Sequence, residues 1–332
     1  MNARRRRISG IAVAAATALS LLSACGSGSA DASADTEGRL DVVASFYPMA
    51  FLAERIGGDH VSVTDLVEPG QEPHDLVISA KQTARLQEAD VAVYLKGLQP
   101  SVDEAIAQSG IKTKIDATTL TSLEVHGTTE DHDHEEADEH EHADEDATDD
   151  GHDHDSALDG EDPHIWLDPV RYAEVATGVG EALEKADPDN AADYESNTAA
   201  LVEELNALDT SFVEGLENRA SDVFITSHAA FGYLAERYGL TQEAISGLSP
   251  ESEPSAARIK ELQRTARDAG ATTVFYETLV SDSTAKTLAE DTGLRTDVLD
   301  PLEGITDASR GDDYFAVMES NLTALRKALG AT

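Results

Sequence analysis

The eleven histidines of this 332-residue chain are unevenly placed. Seven of them, His126, His132, His134, His140, His142, His152 and His154, fall between Glu124 and Asp162, among 19 Asp/Glu and without a single Lys or Arg. Imidazole nitrogen and carboxylate oxygen are together the ligand set of Zn(II) and related divalent cations, so the chemistry on offer is metal contact. The same stretch has almost nothing apolar to bury and cannot fold around a core of its own. Without fixed neighbours it presents many equivalent ligand sets and no second layer of hydrogen bonds to orient any of them. The tract is therefore expected to be a disordered acidic accessory that gathers or senses metal, and an ordered site has to be sought elsewhere.

Four histidines lie outside it. His60 sits in the turn Gly57-Gly58-Asp59-His60 and reads as a surface residue. His74 lies in Pro69-Gly70-Gln71-Glu72-Pro73-His74-Asp75, His164 in Asp162-Pro163-His164-Ile165-Trp166-Leu167-Asp168-Pro169, and His228 in Thr226-Ser227-His228-Ala229-Ala230-Phe231. Prolines beside His74 and His164 stiffen the backbone and pre-organise a ligand. Three neutral imidazoles are a good partial set for tetrahedral Zn(II). Glu303, Asp300 and Glu277 are the candidates for a fourth donor, and all three follow expected strands late in the chain.

These residues need elements to hold them. From Leu40 the pattern alternates strand and helix: strands at Leu40–Phe46, Val61–Val67, Val91–Leu95 and Thr113–Ala117, helices at Pro48–Ile56, Ser79–Ala89 and Pro100–Ser109. After the tract come two helices, Pro169–Ala186 and Asn190–Arg219, the second with Leu201, Leu205, Leu208, Phe212 and Leu216 on one stripe. Thirty helical residues span about 45 Å, which suits a rigid strut between two lobes. The alternation then resumes, with strands at Val223–Thr226, Thr241–Ser246, Thr273–Tyr276 and Arg295–Leu299 and helices at Ala229–Tyr238, Ser255–Ala269, Ser283–Thr292 and Asp313–Leu329. The fold class is thus α/β: two (β/α) lobes with parallel sheets joined by a long rigid helix, the metal site in the cleft between them, where open α/β sheets place sites beyond the carboxyl ends of their strands. The expected division is a signal peptide at 1–24, a flexible tether at 25–39, an N-terminal lobe at 40–168 carrying the disordered loop 124–162, a helical linker at 169–220 and a C-terminal lobe at 221–332.

Arg4 to Arg7 followed by the small apolar run Ile8–Leu22 has the form of an export signal, too short and Ala-rich for a membrane span. Leu22-Ser23-Ala24-Cys25-Gly26 resembles a bacterial lipobox, which makes Cys25 the lipidation site. It is the only cysteine, so the chain has no intrachain disulfide. A net charge of −41 argues against nucleic acid as a partner and for attraction of cations.

Several segments together resemble one known family: Ser45-Phe46-Tyr47-Pro48, Pro73-His74-Asp75, Asp162 to Pro169, His228-Ala229-Ala230-Phe231-Gly232-Tyr233, Ile245 to Pro250 and Asp300-Pro301-Leu302-Glu303. In this order and spacing they are similar to the solute-binding lipoproteins of zinc and manganese ABC transporters, of the ZnuA/AdcA type. The resemblance implies one metal held between two lobes, with His74, His164 and His228 as ligands and Glu303 as the carboxylate. Manganese members usually carry Glu at the third position, so the resemblance favours Zn(II) as the transported ligand over Mn(II). It further implies no catalysis, a permease and its ATPase as partners, a lipid-anchored extracytoplasmic monomer, and release by local movement of the second lobe. Two other functions fit parts of the sequence. A metal-dependent surface adhesin is compatible with transport. A zinc hydrolase is disfavoured, because no His-Glu-x-x-His helix or associated general base is present.

Overall fold

The computed structural model describes residues 38–127 and 160–332. The export signal, Cys25, most of the tether, and His132, His134, His140, His142, His152 and His154 lie outside the described residues.

Two four-stranded parallel sheets organise the chain. The first contains β1 (Leu40–Ala44), β2 (Val61–Asp65), β3 (Val91–Tyr94) and β4 (Thr113–Asp116), in the order β2-β1-β3-β4. The second contains β5 (Val223–Thr226), β6 (Thr241–Ala244), β7 (Thr273–Tyr276) and β8 (Arg295–Val298), in the order β6-β5-β7-β8. The two orders are the same, and each reverses direction beside its first strand. A crevice opens at such a switch point, beyond the carboxyl ends of the strands. Short, apolar and β-branched runs such as Val91-Ala92-Val93 are buried on both faces, as parallel strands covered by helices must be.

In the first lobe α1 (Tyr47–Gly57), α2 (Ala80–Glu88) and α3 (Pro100–Gln108) complete the alternation. Pro48 opens α1, where the missing amide proton costs nothing. Ser79 caps α2 in a reciprocal box with Gln82, satisfying two amides that the helix itself leaves unpaired. Two long helices follow, α4 (Pro169–Ala186) and α5 (Ala191–Leu216). The side chain of Asp168 accepts from the amides of Val170 and Arg171 and starts α4. The stripe of α5 is buried along its length at Leu201, Leu205, Leu208, Phe212 and Leu216. This strut has 26 residues rather than thirty, because a short turn at Pro188–Asn190 delays its start and it ends at Leu216. It packs on α1 and α4 at one end and on α9 (Tyr314–Leu329) at the other.

The second lobe adds α6 (Gly232–Arg237), α7 (Ala256–Asp268) and α8 (Ser283–Thr292). The helix expected from Ala229 starts only at Gly232. The residues before it are held in a turn, where the carbonyl of His228 accepts from Thr226 Oγ1 (2.7 Å) and Gln242 Nε2 (3.0 Å). One hydrophobic core runs through both lobes, including Phe46, Trp166, Tyr172, Phe212, Tyr233 and Tyr314. A second, smaller core of Ile225, Ile245, Leu262, Ala266, Val274, Ala285, Leu288 and Ala289 lies under α7 and α8. The expectation of a disordered loop across 124–162 does not hold at its ends. The amide of Asp162 donates to the carbonyl of Glu124 at 2.9 Å, and Asp162 is fully buried. Burial is possible because the rings of His126 and His164 and the amide of His164 surround this carboxylate, which the composition of the tract places in a solvated run.

Candidate metal centre

His74 reaches the cleft from the loop after β2. The carboxylate of Glu72 accepts from the amides of His74 (3.0 Å) and Asp75 (3.2 Å), closing that loop into a turn. His164 follows the tract, just before the helical turn Ile165–Leu167. His228 follows β5, and Glu303 follows β8. Glu303 is presented by a strained turn: Leu302 has φ +59° without being glycine, a conformation that costs about 1–2 kcal/mol. Three contacts over-determine that turn. Asp300 Oδ1 accepts from the amide of Leu302 (2.9 Å), Asp300 and Asn321 exchange two hydrogen bonds (2.9 and 2.7 Å), and Trp166 Nε1 donates to the carbonyl of Pro301 (2.7 Å). The Trp166 bond joins the segment bearing His164 to the segment bearing Glu303.

These four side chains meet. Their potential donor atoms all lie within 4.8 Å of one another. Nε2 of His74, His164 and His228 stands 3.2, 3.3 and 3.3 Å from Glu303 Oε1. Bonds of 2.0–2.1 Å to a tetrahedral zinc ion place neighbouring ligand atoms about 3.3 Å apart, so the spacing suits such an ion. His164, His228 and Glu303 are buried, and the His74 side chain alone retains some exposure, at 10%. Among the described residues, His164 Nε2, His228 Nε2 and Glu303 Oε2 have no hydrogen-bond partner. Buried polar atoms without partners are costly. Two unpaired imidazole nitrogens facing one buried carboxylate is the pattern of a site shaped for a cation.

The far side of each buried ring is fixed. His164 Nδ1 lies 2.7 Å from Asp162 Oδ1, and His228 Nδ1 lies 2.8 Å from Glu277 Oε1. With these carboxylates ionised, Nδ1 carries the proton and donates, leaving the Nε2 lone pair for a metal. Burial opposes protonation of His228, yet Glu277 and Glu303 outweigh it and raise its pKa well above the ordinary value. For His164 burial is likewise outweighed, chiefly by Asp162, and the pKa is raised. Burial would raise the pKa of Glu303, but the charge of His228 and the close approach of all three imidazoles bring it well below the usual carboxylate range. The cage thus selects positive charge, carried by protons when no metal is there.

A family model described as ZnuA, zinc-uptake complex component A periplasmic, matches residues 42–328. The chain belongs to the ZnuA family. It is 38% identical over 297 residues to the zinc-binding lipoprotein AdcA of Streptococcus pneumoniae, covering 88% of this chain and 56% of that protein. This ZnuA-family chain thus spans little more than half the length of that AdcA relative. It is 36% identical over 331 residues to the high-affinity zinc uptake system protein ZnuA of Bacillus subtilis, covering 98% of both. The crystal structure of the Zn(II)-bound ZnuA-like domain of Streptococcus pneumoniae AdcA superposes with a TM-score of 0.69 at 34% identity, over 88% of this chain and 99% of that one. The ZnuA family is one of uptake components and not of enzymes.

Within this ZnuA-family site, the other two carboxylates considered for the fourth position stand behind the cage. Glu277 orients His228, and Asp300 shapes the turn that presents Glu303. Asp162, the partner of His164, was missed by sequence reasoning, although its position two residues before a histidine and beside a proline was a usable signal. His60 is outside the cage, paired with Asp193 at 2.8 Å. Of the tract, His126 is in the described structure, against Asp162 and Tyr233 rather than in the cage.

Proposed function

We propose that this protein captures Zn(II) outside the cytoplasmic membrane and delivers it to the permease of an ABC importer powered by its ATPase. The observation that carries this reading is the convergence of three imidazole Nε2 atoms on the buried Glu303 carboxylate, each 3.2–3.3 Å from its Oε1. His74, His164, His228 and Glu303 are the ligands, and zinc is cargo. Three nitrogens and one carboxylate suit Zn(II) better than Mn(II), which prefers more oxygen donors. The six tract histidines beyond His126 form an accessory region that draws metal toward the cleft.

The division into a lobe at 40–168, a helical linker at 169–220 and a lobe at 221–332 follows the same reading. So does a lipid anchor at Cys25, supported by the lipobox-like sequence and by relatives named lipoproteins. No helix among the described residues is long and apolar enough to cross a membrane. The protein acts as a monomer that meets the permease with its cleft.

Competition against a chelator of known zinc affinity tests the site. Wild-type protein is expected to bind one zinc tightly, and His228→Ala to bind it at least about 100-fold more weakly, because one of four ligands is gone and Glu277 loses the ring it orients. Tight one-to-one binding that survives His228→Ala would refute the assignment.

A further inference from the structure

His126 belongs to the histidine tract by sequence, yet it is held in the folded body. Its Nδ1 lies 3.0 Å from Asp162 Oδ2, and its Nε2 lies 3.5 Å from Glu236 Oε2 at the surface. Its ring meets Tyr233 edge-on at 4.6 Å. The hydroxyl of Tyr233 accepts from the amide of Glu124 (2.9 Å) and donates to the carbonyl of Asp162 (2.8 Å), so both feet of the tract are tied to α6. Gly232 permits this approach: a Cβ there would lie 2.5 Å from His126 Cβ and 2.7 Å from Asp162 Oδ2.

The electronic demand on Asp162 explains why a histidine stands there. Asp162 is fully buried, and its Oδ1 accepts both the amide (2.9 Å) and Nδ1 (2.7 Å) of His164. Its Oδ2 is paired with His126 Nδ1. A buried carboxylate deprived of one partner turns toward another donor, and that change weakens its hold on His164. Partners of metal-bound histidines fix the ring and raise its basicity.

We propose that His126 is a positioning residue of the metal centre: by donating to Asp162 it holds His164 with Nε2 aimed into the cage, so the foot of the tract is part of the binding site. This rests on the zinc-capture reading. It separates His126 from the other tract histidines, whose role needs no fixed geometry.

The test uses the full mature chain with Zn(II) in chelator competition and Co(II) as a spectroscopic probe of the ligand field. His126→Ala is expected to weaken the tight site by roughly tenfold, the lower end of the range for such partners, and to shift the Co(II) absorption bands. His126→Asn, whose side-chain amide can donate from nearly the place of Nδ1, is expected to recover affinity to within about threefold and to restore the spectrum. His126→Gln, with its amide one bond farther out, is expected not to. Deleting residues 128–159, which spares His126, is expected to leave tight affinity and spectrum at wild-type values. Unchanged affinity and Co(II) spectrum in His126→Ala, with at most a lower melting temperature or one weak site lost, would overturn the proposal. So would a loss that Asn does not rescue. A wild-type protein with no tight site sensitive to His228→Ala would instead refute the zinc-capture reading, and this proposal with it.

Discussion

Protons and zinc are expected to compete for the same nitrogen lone pairs in the cage. His164 and His228 have raised pKa values because Asp162, Glu277 and Glu303 favour their charged forms despite burial. Metal-free protein therefore keeps protons on these rings above the ordinary imidazole value of about 6.5, and zinc has to displace them. Lowering the pH strengthens the competitor, so apparent zinc affinity falls, by about tenfold per pH unit for each proton displaced. Chelator competition at several pH values, with proton release measured calorimetrically in two buffers, is the check; affinity flat from pH about 8 to about 6 would exclude imidazole ligands. Glu277→Gln makes a narrower prediction. It keeps an acceptor for His228 Nδ1 but removes the charge, so affinity is expected to drop by roughly tenfold with little change in melting temperature. That His74 and His228 come together was legible in the sequence because each stands in a loop after a strand, which an α/β sheet directs into its cleft; His164 follows no strand and was marked by its neighbouring proline and by the family motif. The carboxylate that joins them was read only from the family resemblance, because Asp300, Glu277 and Glu303 all follow strands. Only their hydrogen bonds separate them: Asp300 is committed to Leu302 and Thr278, and Glu277 to Ser227 and His228.

Helices and strands divide the molecule into a firm part and a looser one. The apolar stripe of α5 was legible because a 3.6-residue period leaves few other arrangements, and all five of its named residues are buried. The start of α6 was not, because the turn after β5 is set by bonds from Thr226 and Gln242 to the carbonyl of His228 rather than by local propensity. Between α4 and α5 the backbones approach closely at Gly180, where a Cβ would stand 2.2 Å from Thr198 Oγ1. Gly180→Ala is accordingly expected to cost about 1–3 kcal/mol by overpacking, which exceeds the few tenths to 1 kcal/mol gained from alanine's helix propensity. Thermal unfolding should show the loss as a melting temperature lower by several degrees, while zinc affinity of the folded protein is unchanged. An unaltered melting temperature would mean that the helices separate freely. The second core under α7 and α8 contains eight residues cut off from the main one, and β5 is joined to β7 by a short register around Ile225 and Val274. Small cores open at lower free energy than large ones. Amides of β6 to α8 are thus expected to exchange hydrogen faster than those of α1, α4, α5 and α9. Since His228 and Glu277 follow β5 and β7, the same opening is expected to loosen these two side chains without parting the Phe51–Tyr314 contact between lobes.

Across the whole molecule, negative charge sets the behaviour toward cations. The two-lobed plan was legible because the strand–helix alternation breaks once and resumes. What composition could not reveal is where the tract becomes structure: at Glu124–His126 and Asp162, through backbone pairing with itself and hydrogen bonds to Tyr233. A deletion must therefore spare those feet to isolate the tract's contribution. Removing residues 128–159 takes away sixteen acidic residues and six histidines with no basic residue, changing the net charge from −41 to −25. None of the four cage donors is touched, so the one tight zinc site is expected to remain at wild-type affinity, while weaker additional binding is lost. The rate of capture is a separate matter. Long-range attraction raises encounter rates for cations and is screened by salt, with a Debye length of about 8 Å at physiological ionic strength. The deleted protein is expected to take up zinc more slowly than wild type in dilute buffer, with the difference shrinking as salt rises. Stopped-flow transfer from a fluorescent zinc chelator at low and high ionic strength measures both. Equal rates at low salt would deny the tract any role in gathering metal, and a salt-independent deficit would point to direct hand-over by its histidines instead of attraction by its charge.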